Sequence, residues 1–181
     1  MDEFLTRIGF KTEMVTEVDV PPDEFVSNLR KNVDKGDLDF FSRMFEALES
    51  GQNEYKGKVA HDSFEISQRR RLFDMNFNMA VATGRVESYA SSTRIKTEIN
   101  GFAGYWVFFI LIALIVYVFG FIIVLSSARK LNDFLAIPFL LIHASLMIGI
   151  PFLMIRRSVK AMKYNLEREF PYIAKSERKR S

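Results

Sequence analysis

The sequence predicts an α+β domain joined to a two-helix transmembrane hairpin and a C-terminal amphipathic helix. Three observations lead to this prediction. Residues 101–155 contain only three charged side chains, whereas the other residues are about 35 % charged. Two apolar runs within that segment are long enough to cross a bilayer. In the charged part, the spacing of apolar residues changes between the periods of strands and helices.

The first apolar run, residues 102–125, has 24 residues without a charge. As a helix it would measure about 36 Å, against a hydrocarbon core of roughly 30 Å. The second run, residues 134–155, has 22 residues and one titratable side chain, His143. Eight residues separate the runs, which predicts an antiparallel hairpin. The alternative, a pair of buried core helices, would need much shorter runs.

The basic residues that flank the two runs predict the orientation of the hairpin. Nine Lys and Arg side chains lie within 20 residues outside the runs, and two lie between them. The positive-inside rule then places both termini in the cytoplasm, in an integral membrane protein with two spans.

The order of elements before the hairpin predicts the architecture of the soluble part. A short helix at 2–9 precedes an alternating strand at 13–20. After Pro21-Pro22-Asp23 come a helix that closes at Gly36 and a helix that Asp37 caps. Four strands in an antiparallel meander follow, at 55–59, 63–73, 79–88 and 93–99. With a final long helix, this order resembles the helix-grip arrangement, interrupted by the hairpin.

The C-terminal segment contains an apolar stripe with helical spacing. Its members are Ile155, Val159, Met162, Leu166, Phe170 and Ile173. Pro171 predicts a kink or an end near Phe170. The stripe can pack on the sheet or lie on an anionic membrane surface, and we favour the sheet because the meander otherwise has too few helices to cover it. The predicted domains are therefore 1–100, 101–155 and a basic helix at 156–181 that packs on the first.

Basic side chains on both sides of the hairpin are candidate contacts for lipid headgroups. They are Arg69, Arg70, Arg71, Arg156, Arg157, Lys160 and Lys163. In a strand, alternate members of the Arg69–Arg71 cluster face opposite sides, so a solvated strand edge is the alternative interpretation.

His143 is a candidate intramembrane polar site, because ionisable side chains in a membrane are costly to bury. No Asp, Glu or Arg accompanies it within its run, so a neutral His143 bonded to a nearby carbonyl or hydroxyl is the alternative. Ser145 with Gly149, and Ala113 with Gly120, provide small surfaces for close approach of helices, either within the hairpin or to a partner.

The function expected from these features is interaction rather than catalysis. No catalytic or phosphate-binding motif occurs, and two His without Cys argue against a zinc site, so we expect no cofactor and no enzyme. A net charge of −4 over residues 1–100 argues against nucleic-acid binding. We expect a membrane-anchored accessory subunit or scaffold, with a protein partner or self-association through the hairpin. The alternative is a module that binds lipid or another apolar molecule at the inner leaflet. Nine of the 18 Phe lie in residues 1–77, where a helix-grip sheet can enclose an apolar pocket, although core packing explains the same residues more simply.

Overall fold

The computed structural model describes residues 1–38, 53–69, 79–101, 105–127 and 136–175, without the side chains of 105–108 and 127. The chain divides into two compact units. One comprises Met1–Phe102 together with Ile155–Ser181, and the other is Ala103–Met154. The first unit is an α+β fold, as the order of elements predicts.

A six-stranded mixed sheet forms the first unit. Its strands are β1 (Lys11–Val18), β2 (Val33–Lys35), β3 (Tyr55–Val59), β4 (Ser63–Gln68), β5 (Val81–Tyr89) and β6 (Ser92–Asn100). Their order across the sheet is β1-β6-β5-β4-β3-β2. The pair β2–β3 is parallel, and every other neighbouring pair is antiparallel. The chain therefore reaches one edge with β1 and the opposite edge with β2, and the later strands fill the space between them.

The described residues form four helices besides the sheet: α1 (Asp2–Arg7), α2 (Pro22–Lys31), α3 (Tyr105–Ser127) and α4 (Ala136–Lys175). Pro22 is the first residue of α2. An N–H at this position would have no partner within the helix, so proline loses no hydrogen bond there, and its fixed φ suits the first turn. Helix α3 is apolar throughout, and α4 is apolar in its first half.

One face of the sheet, α2 and the second half of α4 enclose the core. Alternate residues of β6 point into it, because successive strand side chains face opposite sides. The fully buried centre contains Phe25, Leu29, Ile66, Ile95, Ile99, Met162, Leu166 and Phe170. Phe170 packs edge-on against the rings of Phe25 and Phe64, with centroids 5.6 Å and 5.7 Å away.

The apolar stripe of the C-terminal segment lies on the buried side of α4. All six of its side chains are buried, and Val159, Met162, Leu166, Phe170 and Ile173 belong to the cluster that the sheet also lines. Two predicted helix ends are wrong: an end near Phe170 in the C-terminal helix, and the closure of the second helix at Gly36. Helix α4 passes Pro171 and continues to Lys175, because burial of Ile173 and Ala174 offsets the hydrogen bond that proline cannot make.

Helix α2 does not extend to Gly36. It ends at Lys31, where the N–H of Asn32 bonds to Leu29 O and its side-chain amide bonds to Asn28 O. Val33 is buried, as its helical spacing suggests, but from β2, which pairs with β3.

Several predicted elements lie outside the described residues. These are the helix after Asp37 as far as Leu48, the end of the 63–73 strand, and the loop of the hairpin. The helix-grip arrangement stays a prediction.

Candidate functional site

The chain leaves the α+β unit and returns to it at one place. Gly101 follows β6, and a methyl group built on it would lie 2.7 Å from Val159 Cγ2 and 3.0 Å from Ile155 Cγ2. Those distances are closer than ordinary van der Waals contact, so glycine is needed here for close approach. Gly101 directly precedes the first apolar run and Ile155 ends the second, so the two ends of the apolar segment are neighbours within this unit.

Ser158 of α4 binds the backbone that leads into β5. Its hydroxyl oxygen accepts hydrogen bonds from the backbone N–H groups of Met79, at 2.7 Å, and Ala80, at 3.0 Å. Ser158 is buried, and Ala80 is wholly so. The two amides precede β5 and would otherwise be costly to bury. The sequence contained a signal that Ser158 makes a buried polar contact, since it is a small polar residue on the apolar side of a helix, but no signal for its partners.

Three of the predicted headgroup contacts share the exposed side of α4. Arg156, Arg157 and Lys160 are exposed, and spacings of three and four residues place them on adjacent parts of the helix surface. Lys163 is half-buried instead. Its ammonium donates to the backbone oxygen of Glu13 at 3.4 Å and lies 3.9 Å from the carboxylate of Glu167. Lys163 therefore binds the edge strand of the sheet.

Arg69 has a different environment from these three side chains. Its side chain is 11 % exposed, and its Nε lies 3.5 Å from a carboxylate oxygen of Asp34. Its backbone N–H donates to Glu54 O at 2.8 Å. Arg69 thus links the end of β4 to β2. Arg70 and Arg71 lie outside the described residues.

Lys11 joins α1 to the sheet. Its ammonium lies 2.9 Å from the carboxylate of Glu98 and 3.3 Å from that of Asp2. The hydrogen bond with Glu98 raises the pKa of Lys11, with a smaller contribution from Asp2. This pair also relieves the direct opposition of Glu13 and Glu98 across β1 and β6.

His143 has a hydroxyl partner within the apolar unit. Its Nδ1 lies 2.6 Å from the hydroxyl oxygen of Tyr117 on α3, and its ring stacks on Phe139. Ser145 does not join this pair, because its hydroxyl donates to Leu141 O in its own helix. The contact agrees with the interpretation that His143 bonds to a nearby hydroxyl, and it joins the two apolar helices.

The small residues of the apolar unit fall into two groups. Ala113 is 8 % exposed and therefore packed. A Cβ added at Gly120 or Gly149 would meet no atom within 4 Å, so open space adjoins both glycines in the described structure. Close approach within the hairpin explains Ala113 but neither glycine.

The outer surfaces of α3 and the first half of α4 consist of large apolar side chains. The most exposed are Ile112, Leu114, Val116, Phe119, Ile123, Phe139, Leu141, Ile142 and Leu153, at 57–68 %. By length and composition, both helices are able to cross a membrane. Burial of each such side chain contributes about 1.5–3 kcal/mol, so leaving this surface in water would cost on the order of tens of kcal/mol.

The face of the sheet opposite the core contains a hollow of about 550 Å³. Three residues from each of β1, β5 and β6 line it, among them Glu13, Arg85, Lys96 and Glu98. Val15 lies among these charges and is 61 % exposed. Charged side chains of both signs, Glu13, Arg85, Lys96 and Glu98, thus lie beside apolar ones, Met14 and Val15, around the hollow. Within the described residues, no group of three or more His, Asp or Glu side chains could hold a metal ion.

No known protein family matches the chain, and no curated protein matches it in sequence. The structure itself defines the class of protein: an α+β unit with a mixed sheet, and two apolar helices compatible with membrane spans.

Proposed function

We propose that this chain is a membrane-anchored interaction protein, either an accessory subunit or a scaffold. Helix α3 and the apolar half of α4 cross the bilayer as a hairpin, and the α+β unit presents a surface for a protein partner. The observation that carries the proposal is the apolar outer surface of both helices, which hydrocarbon would cover.

Both termini lie in the cytoplasm in this proposal. The nine basic side chains outside the apolar runs, against two between them, support that orientation. Three of the nine, Arg156, Arg157 and Lys160, are exposed directly after the second run, where anionic headgroups would attract them.

The hollow on the open face of the sheet is the proposed contact surface for a protein partner. Arg85 and Thr83 are exposed there, and Lys96 forms an ion pair with Glu87 at the rim. Exposed charges of both signs suit an interface with complementary charges. The open space beside Gly120 and Gly149 supports a second contact, with another transmembrane helix or a second copy of the hairpin.

Labelling of introduced cysteines tests the topology, because the native chain contains no Cys. Ser127→Cys lies at the end of α3, and the control Ser91→Cys lies in the exposed β5–β6 turn. A membrane-impermeant maleimide applied to intact cells should label Ser127→Cys alone, and Ser91→Cys only after permeabilisation. Labelling of both positions in intact cells would contradict a hairpin with cytoplasmic termini.

Photocrosslinking tests the interaction surface. A photoreactive phenylalanine analogue replaces Thr83 in the hollow or, as a control, Tyr172, which is 68 % exposed on α4. We expect a discrete crosslinked protein from position 83 in native membranes and none from position 172. Equal adducts at both positions, or none at position 83, would contradict this surface.

A further inference from the structure

Helix α1 exposes apolar side chains that the core does not use. Phe4 is 63 % exposed and Met1 is 91 % exposed, whereas Leu5 is buried. Phe4 lies in α1 and Met1 is the N-cap residue directly before it, so the two side chains make an exposed apolar strip at the start of the helix. The sequence spacing of Phe4, Leu5 and Ile8 predicts a common side, but in the structure only Leu5 of these three is buried.

Three contacts place α1 beside the point where the chain leaves the α+β unit. The N–H of Phe10 bonds to Leu5 O at 2.8 Å, and the N–H of Gly101 bonds to Phe10 O at 2.9 Å. Gly9 lies between α1 and Phe10 and has a φ of +78°. A methyl group built on Gly9 would lie 3.2 Å from Arg156 Cγ. Gly101 and Arg156 are the residues that adjoin the two apolar runs.

The charges around this point favour an anionic surface. Four exposed side chains here are basic, Arg156, Arg157 and Lys160 on α4 and Arg7 in the last turn of α1, and Glu3 in the first turn of α1 is exposed and acidic. The carboxylate of Asp2 is already paired with Lys11. Basic side chains next to an exposed apolar strip are typical of helices that lie in the headgroup region of a bilayer.

We infer that α1 is a lipid-binding element, with Met1 and Phe4 inserted at the boundary between headgroups and acyl chains. This inference rests on the proposed function, because hydrocarbon spans at 102–125 and 134–155 bring Gly101 and Arg156 to the membrane surface. Such helices bury their apolar side about 5–10 Å into the boundary between headgroups and acyl chains. The ligand is the phospholipid bilayer itself, and the basic side chains add a preference for anionic lipid.

Tryptophan fluorescence tests the insertion of α1 in the full chain. Trp106 is the single tryptophan, so Trp106→Phe provides a silent background. Phe4→Trp in that background is compared with Tyr89→Trp, which lies at the end of β5 remote from Gly101. The distance along β6 from Ser92, which pairs with Tyr89, to Asn100 is about 26 Å, so Tyr89 lies far from Gly101 and Phe10 within the same unit.

Both variants are reconstituted in vesicles of equal parts phosphatidylcholine and phosphatidylglycerol, with or without bromine on the acyl chains. We expect bromine to reduce the emission of Phe4→Trp about twofold, with a blue-shifted maximum, and to leave Tyr89→Trp unchanged. Equal emission of Phe4→Trp in both vesicles would overturn the inference.

Alkaline carbonate extraction of the same vesicles separates the two proposals. Protein that is retained, but whose Phe4→Trp emission is unquenched, contradicts the role of α1 and leaves the anchored hairpin intact. Protein that is released contradicts the anchored hairpin, and with it the inference about α1.

Discussion

The hydroxyl of Ser158 accepts a hydrogen bond from the backbone N–H of Ala80 at 3.0 Å, across 78 residues of sequence. The same oxygen accepts from Met79 at 2.7 Å. One side chain of α4 thereby satisfies two amides that lead into β5. This contact attaches α4 to the sheet three residues after the apolar run ends.

Replacement of Ser158 by alanine should destabilise the α+β unit by about 2–3 kcal/mol, because two amides lose their acceptor while remaining enclosed. Thermal unfolding in detergent micelles, followed by circular dichroism, measures the change as a lower midpoint. Lys160→Ala, at an exposed position of the same helix, should stay within about 0.5 kcal/mol of the native chain. Equal midpoints for the two variants would show that the hydroxyl is not needed.

The turn between β5 and β6 contains a strained residue whose replacement should raise stability. Ala90 has a φ of +53°, a conformation that costs a residue with a Cβ roughly 1–2 kcal/mol. We expect Ala90→Gly to stabilise the unit by up to about 1 kcal/mol, after the greater freedom of glycine in the unfolded chain is subtracted.

Ser91→Gly is the matched control for this turn, because Ser91 is not among the described residues with positive φ. It should destabilise the unit, since glycine there relieves no strain and loses more conformational freedom on folding. The two substitutions should therefore shift the unfolding midpoint in opposite directions. A decrease in both would refute strain at Ala90.

Burial raises the pKa of Tyr55, with a smaller contribution from Glu54. A phenol is neutral when protonated, and its unfolded pKa is about 10. The folded state therefore binds the phenol proton more tightly than the unfolded state does. The contribution of Tyr55 to the free energy of unfolding is complete below about pH 10 and is lost as the pH rises beyond that value. Tyr55→Phe should reduce the loss of stability between about pH 9 and pH 12.

Tyr164→Phe provides the comparison for alkaline unfolding, because Tyr164 is 65 % exposed. This substitution controls for the removal of a phenol hydroxyl at an exposed position. The measurement is the unfolding midpoint across the alkaline range for both variants and the native chain. Parallel pH profiles for all three would be incompatible with ionisation of Tyr55 as a cause.

The hydrogen bond between Tyr117 and His143 should stabilise the association of the two apolar helices. Tyr117→Phe removes the hydroxyl and should weaken helix association by about 0.6 kcal/mol, the average for such contacts in membranes, and by no more than about 1.7 kcal/mol. Unfolding by dodecyl sulfate in bicelles, followed by circular dichroism, reports the loss. Ser145→Ala should have a smaller effect, because that hydroxyl bonds within its own helix.

The buried faces of the strands were predictable from the sequence, because strand side chains alternate with a period of two. Phe64, Ile66, Ile95 and Ile99 are buried as their alternation predicts. Strand β2 was not predictable, since three residues are too few to show a period. Its residues acquire strand geometry only by pairing with β3, whose partner positions lie more than 20 residues later.

The sequence by itself determined the two apolar runs, the stripe on the C-terminal helix and the α+β class, because burial in hydrocarbon or in a core imposes a pattern along the chain. Tertiary structure alone decided three pairings: Ser158 with the amides before β5, His143 with the hydroxyl of Tyr117, and Arg69 with Asp34. It also decided that Leu5 is buried and Phe4 is exposed. Such pairings join residues far apart in sequence, so they depend on distances that no local pattern encodes.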